Sequence, residues 1–301
     1  MKIKKTKRVK YRKGGSKTRK KFISLNCNPT NDSLDYTCFK EDDLLKLKKI
    51  WNLKHPDDKL TTKCPKKIWS SLKTYYSTIC NKESCWVKQL LKNPKMQDEL
   101  MESFAPKMPY TWNKNPNEWL SSLDILSVMN QYEKKYKCFD FIGPSPIDFD
   151  NYDLDGNCVW NELCKFSIKD CINRNKTKIG IIFNTDTHDK PGEHWISLFI
   201  NIKKGSILFF DSVGSKCPNE IVKLINNIII EGNNMSPPIY FKFEENHPVV
   251  HQRSTTECGM YSLYFIVQML KDKISSKYLK THHLDDNYIE NFRNIYFNKD
   301  L

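Results

Sequence analysis

A chain of 301 residues is long enough for one large domain or two smaller ones, and 39% hydrophobic with 12% aromatic residues excludes disorder throughout. The formal net charge of +14 is concentrated: residues 1–21, MKIKKTKRVKYRKGGSKTRKK, hold 12 Lys/Arg and no Asp or Glu, so the rest is nearly neutral. No run of about 18 apolar residues occurs, which excludes a membrane-spanning helix, and the N-terminal stretch lacks the apolar core of a secretory signal.

In chain order, the basic stretch 1–22 cannot bury enough apolar surface to fold and is expected to be a disordered tail. Its charge suits contact with nucleic acid or another polyanion through counterion release. Residues 23–105 are expected to form a helical accessory domain. EDDLLKLKKIW (41–51), PKKIWSSLKTYYSTIC (65–80), CWVKQLLK (85–92) and PKMQDELMESF (94–104) repeat apolar residues at helical spacing, two of them starting on Pro.

From 106 to 301 the pattern becomes that of an α+β core. NEWLSSLDILSVMNQYEKKY (117–136) reads as one amphipathic helix and FDFIG (139–143) as a strand, with an irregular stretch up to about 177. KIGIIFN (178–184), HWISLFINI (194–202), SILFFD (206–211) and IYFKFEE (239–245) are rich in aromatic and β-branched residues and read as strands. PNEIVKLINNIII (218–230) fits a helix between the last two. The segment from Cys258 to about Leu270 is apolar on nearly every side, so its helix belongs in the centre of a mixed sheet and is buried. DDNYIENFRNIYF (285–297) closes the chain as a further helix.

Two features mimic metal or redox motifs. NYDLDGNCVWNE (151–162) has the spacing of a calcium loop, but its first position is Asn151, and two prolines stand where the incoming helix should be. A polar turn is the better reading. The eleven cysteines form no CxxC pair, are irregularly spaced and odd in number, so they are expected to be free thiols, most of them packing residues.

One cysteine stands apart. In HQRSTTECGMYSLYFI (251–266), Cys258 lies where a polar run becomes a long apolar one, at the start of a helix whose free N–H groups favour a thiolate. Thr255 and Thr256 are available as caps. A cysteine nucleophile needs a base, a group that orients the base and donors for the oxyanion. Of seven histidines, His194 opens a strand. The return strand of that hairpin ends at Asp211, so the two side chains share one end of the hairpin. A carboxylate there fixes the imidazole tautomer and stabilises imidazolium. Gln252, six residues before Cys258, offers an amide donor beside the Cys258 N–H.

Singly these elements are weak, and in the order His, Asp, Gln, Cys they are a strong signal. The runs HWISLFI, ILFFDS and HQRSTTECGMYSLYFI resemble the Ulp1-like and adenain-like cysteine proteases, the clan that includes SUMO-specific proteases. His194-Trp195, Asp211, Gln252 and Cys258-Gly259 fall on that family's catalytic His, acidic partner, oxyanion Gln and nucleophile. Trp119-Leu120 falls on the start of its first core helix. The match resembles most the viral polyprotein-processing members, which carry Glu, as Glu257 here, before the nucleophile and a helical region before the core.

The resemblance implies a cysteine endopeptidase with no cofactor and no metal, cutting protein substrates after Gly-Gly in Gly-Gly-Xaa sites. Trp195 and Trp119 then become candidate substrate-binding residues, and host cytoplasm and virion become the expected locations. Gly14-Gly15 before Ser16 is the chain's only Gly-Gly pair and a candidate self-cleavage site. Three alternatives remain at this level: a deSUMOylating-type protease, a clan-related acetyltransferase, and a nucleic-acid-binding structural protein working through its tail.

Overall fold

The computed structural model describes residues 26–30 and 35–299. The basic tail and its Gly14-Gly15 pair lie outside those residues. The helices are α1 (Glu41–Lys54), α2 (Pro65–Tyr76), α3 (Glu83–Leu90), α4 (Pro94–Met101), α5 (Ser122–Lys135), α6 (Asn161–Cys164), α7 (Ile168–Asn173), α8 (Asn219–Asn233), α9 (Cys258–Leu270), α10 (Ser276–Thr281), α11 (Asp286–Glu290) and α12 (Arg293–Tyr296). The strands are β1 (Phe139–Pro146), β2 (Lys178–Asn184), β3 (Trp195–Asn201), β4 (Ser206–Phe210) and β5 (Lys242–Glu245).

Helices α1 to α4 bury one stripe each. Leu44, Leu47 and Trp51 on α1 meet Ile68, Leu72 and Tyr76 on α2, and Trp86, Val87 and Leu90 on α3, in a cluster closed by Phe104. These are the three- and four-residue spacings that put side chains on one helical face. The region is fastened to the remainder of the chain by Asn26 Nδ2, which donates to Phe297 O at 3.0 Å, and by Gln131 Nε2, which donates to Phe104 O at 3.0 Å.

The five strands form one mixed sheet in the order β1-β2-β3-β4-β5, parallel at both outer pairs and antiparallel within. The central strand β3 is buried along its whole length. Its alternate residues serve two cores. Trp195 and Phe199 face a cluster with α5 and α9, while Ile196, Leu198 and Ile200 face one with α7 and α8. Helix α9 is surrounded, as its lack of a polar face predicts, and it packs across β3.

The β3–β4 hairpin turns through Ile202–Lys204 and Gly205. Asn201 Oδ1 accepts from Lys204 N at 3.1 Å, and Gly205 adopts φ 55°. A Cβ on Gly205 would lie 2.4 Å from Tyr240 O, so this turn requires glycine twice over.

Several expectations are corrected. The helix expected over 117–136 begins at Ser122, because Ser121 and Asp124 form a reciprocal capping box that stops it there. Trp119 and Leu120 therefore precede the helix. Strand β1 runs on through two prolines to Pro146, with a cis Gly143–Pro144 bond and a register shift between Ile142 and Ser145. An edge strand tolerates this because one side needs no N–H donor. The segment 285–297 is two short helices, and α6, α7 and α10 were not anticipated.

The expectation of free thiols fails for six cysteines. Cys27–Cys38, Cys80–Cys85 and Cys158–Cys164 are paired, with Cα–Cα distances of 5.0, 5.7 and 6.4 Å. Those separations are ones a disulfide spans, and the spacing of cysteines in the sequence does not reveal them. Cys64, Cys138, Cys171, Cys217 and Cys258 are free. The calcium-like stretch is a polar turn in which Asp153 Oδ1 accepts from Asp155 N and Asn157 N. Among the described residues no helix is long and apolar enough to cross a membrane.

Candidate active site

The β3–β4 register brings the first pair together. Ser197 lies opposite Phe210, so three residues earlier on one strand and three later on the other His194 falls opposite Val213. The chain turns back there, with Gly214 N donating to Asp211 O at 3.0 Å. That turn presents the Asp211 carboxylate to the imidazole: His194 Nε2 stands 2.7 Å from Asp211 Oδ1. Cys258 acts on the same ring, its interaction being among those that raise the imidazole, and with Nε2 turned to Asp211 the nitrogen left for a thiol is Nδ1. His194 before β3, Asp211 after β4 and Cys258 at the start of α9 thus come from three separate parts of the chain.

Electrostatics follow from that geometry. Burial works against a charged His194, but hydrogen bonds to Asp211 and Cys258 and their charges outweigh it, raising the imidazole to about 9. Asp211 is itself held on both oxygens, Oδ1 by Val213 N at 3.0 Å and Oδ2 by Ser215 N at 3.3 Å. Asn246, fully buried, clamps the Asp211 backbone: its Oδ1 accepts from Asp211 N at 2.9 Å and its Nδ2 donates to Asp211 O at 2.8 Å. No feature of the sequence pointed to Asn246.

Cys258 opens α9. The helix is not capped by Thr255 or Thr256, as its sequence suggested. Its N-cap is Glu257, whose side chain is drawn away to Arg293, and no side chain caps the first turn. The first-turn N–H groups therefore remain for negative charge at the sulfur or beside it. Gly259 is explained by packing: a Cβ there would stand 2.9 Å from Leu120 Cβ and 3.1 Å from Trp195 Cδ1. Only glycine lets the first turn of α9 sit against these two side chains.

Gln252 is buried and its amide is fixed at both ends. Ser212 Oγ donates to Gln252 Oε1 at 2.7 Å, and Gln252 Nε2 donates to Ser254 O at 2.7 Å. One amide hydrogen remains unspent by these contacts. Trp195 is nearly buried, its Nε1 donating to Leu120 O at 3.0 Å. Trp119 is 40% exposed, its Nε1 donating to Thr255 O at 2.9 Å. Both tryptophans line a cleft of about 1,060 Å³, with Leu120, Asn184, His188 and Gly192 among its other walls. Neither His194 nor Cys258 lines it; Trp195 follows His194 in the chain, and Trp119 is held by the Thr255 carbonyl three residues before Cys258.

Residues 125–300 match the Ulp1 protease family, C-terminal catalytic domain. The chain belongs to the Ulp1 protease family. It is 28% identical over 301 residues to a protein of Acanthamoeba polyphaga mimivirus named as a thiol protease, covering 90% of this chain and 92% of that one. A cysteine protease of African swine fever virus is 23% identical over 247 residues, 78% of this chain and 90% of its own. The crystal structure of an African swine fever virus protease superposes with a TM-score of 0.66 at 19% identity, covering 92% of this chain and 96% of that one. That coverage includes the helical region ahead of the Ulp1-like core. The chain is a Ulp1-family cysteine protease, and both sequence relatives are viral.

Proposed function

We propose that Cys258 is the nucleophile, His194 its base and acid, Asp211 the group that orients His194, and Gln252 an oxyanion donor. The 2.7 Å contact of the His194 imidazole with Asp211, on a ring that Cys258 also acts upon, carries this reading. The Cys258 thiol gives its proton to His194 Nδ1, and Sγ attacks the carbonyl carbon of the scissile bond. The negative oxygen that forms is met by the free N–H of the Gln252 amide and by the Cys258 N–H. His194 then protonates the leaving amine, the C–N bond breaks and a thioester remains. Water attacks the thioester with His194 taking its proton, and the acid product leaves as Cys258 is restored.

The substrates we propose are proteins with Gly-Gly-Xaa sites, and the role is maturation of a viral precursor. Support comes from the viral relatives and from Trp119 and Trp195 lining the cleft beside the site. Two glycines let a backbone pass between bulky walls that any Cβ would crowd. The test incubates the purified protein with peptides spanning Gly-Gly-Xaa and with a SUMO precursor, and locates cuts by mass spectrometry. Cuts after the second glycine of the peptides are expected. Cleavage of the SUMO precursor alone favours a deSUMOylating role instead. The same spectra read the intact mass of the chain, where loss of residues 1–15 reports a cut between Gly15 and Ser16.

A further inference from the structure

The residue after Asp211 has a part of its own. Ser212 is 1% exposed and grips Gln252 at both its backbone and its side chain. Ser212 O accepts from His251 N and Gln252 N, each at 2.8 Å, and Ser212 Oγ donates to Gln252 Oε1 at 2.7 Å. At the other end of the amide, Ser254 O can only accept, so it must face Nε2. The amide has one orientation that satisfies both neighbours. Turned over, it would set Oε1 against a carbonyl oxygen and Nε2 against the serine hydroxyl.

We propose that Ser212 is a positioning residue for the oxyanion donor, locking the Gln252 amide so that its unspent N–H faces the reacting carbonyl oxygen. This rests on the reading of Gln252 as that donor. The placement also joins two parts of the machinery through one dipeptide: Asp211 orients the base, and Ser212 orients the group that receives the charge. Without the hydroxyl, Gln252 Oε1 becomes a buried acceptor lacking its donor, and the lock is reduced to the Ser254 side. The cost falls on the step that builds the oxyanion, because donors act there only when preorganised.

The test is a double-mutant cycle on peptide cleavage, run beside alkylation of Cys258 by iodoacetamide. Alkylation joins sulfur to carbon with loss of iodide and builds no oxyanion, so it reads the thiolate and the fold but not Gln252. Ser212→Ala is expected to lower kcat about tenfold with KM and the alkylation rate unchanged. Gln252→Ala is expected to lower kcat about a hundredfold, and adding Ser212→Ala to it should cost nothing more. Full kcat in Ser212→Ala overturns the proposal, as does an undiminished effect in the Gln252→Ala background or an equal fall in alkylation. If instead Gln252→Ala cleaves at the unaltered rate, the oxyanion reading itself is overturned and this inference with it.

Discussion

The guanidinium of Arg293 and the carboxylate of Glu257 meet inside the protein, Nε to Oε2 at 3.0 Å and Nη2 to Oε1 at 2.9 Å. Arg293 is 5% exposed and Glu257 2%, and Glu257 is the residue before Cys258. The same Nη2 donates to Glu118 O at 2.9 Å, and the guanidinium lies over the Trp112 ring at 4.3 Å. One side chain from the end of the chain therefore ties the entry of α5 to the entry of α9.

Breaking that pair strands a buried carboxylate, whose protonation burial already favours. Arg293→Met is expected to lose about 3–5 kcal/mol of stability, read by urea denaturation. Changing both residues to apolar ones of similar volume should recover part of the loss. A deficit no larger than that of an exposed ion pair contradicts this role.

The raised His194 sets a pH limit. Its folded value of about 9 lies above the usual value near 6.5, so its stabilising contribution is whole below about 6.5 and lost as pH rises through 9. Activity that needs imidazolium beside thiolate should fall over the same alkaline limb. Asp211→Asn removes the charge and brings an amide N–H toward Ser215 N, so the limb should move to lower pH and activity should drop, though less than in Cys258→Ala. The pH profile of kcat/KM for both proteins measures this, and an unmoved limb counts against Asp211 as the cause.

His251 predicts sensitivity at the acid end. It is fully buried beside Phe210 and His283, and its Nδ1 accepts from Leu284 N at 3.2 Å. Burial, with the nearby His283, lowers it to about 4. Its depressed folded value favours the neutral ring, so its contribution is whole above about 6.5 and is lost as pH falls toward 4. His251→Asn keeps an acceptor for Leu284 N and removes the titrating group. Its melting temperature should decline less than that of the parent protein between pH 6.5 and 4; parallel declines would assign the acid sensitivity to other groups.

Gly259→Ala tests the close approach of Leu120 and Trp195. The added methyl meets carbon atoms of both side chains, neither of which is a flexible surface group. Overpacking of this kind costs about 1–3 kcal/mol, and the shift falls on the turn that carries Cys258. Lower thermal stability together with reduced cleavage is expected. Unchanged values for both would show that α9 has room to move.

The geometry of the candidate site was legible where it depends on local pattern. A histidine one residue before a strand, an aspartate one residue after the return strand and a cysteine opening an apolar helix each sit at an element's end, and element ends are visible in sequence. The register even places His194 opposite a residue just beyond Asp211, as hairpin counting expects. Illegible were the partners supplied across long separations: Asn246 on Asp211, 35 residues away, and Arg293 on Glu257, 36 away. Ser212 was in plain view beside Asp211, but its role depends on a fold that returns Gln252 to it. The cysteine pairs failed for the same reason, since only the fold sets their Cα separations.

The most direct test of the central assignment compares the parent protein with Cys258→Ala on one Gly-Gly-Xaa peptide, with a thiol-reactive peptide electrophile as a second readout. Cys258 is one of five free cysteines and the one that acts on His194. The expected result is selective labelling of Cys258 in the parent and no cleavage by a folded Cys258→Ala protein. Cleavage by Cys258→Ala at the parent rate, or labelling spread evenly over Cys64, Cys138, Cys217 and Cys258, would place the nucleophile elsewhere.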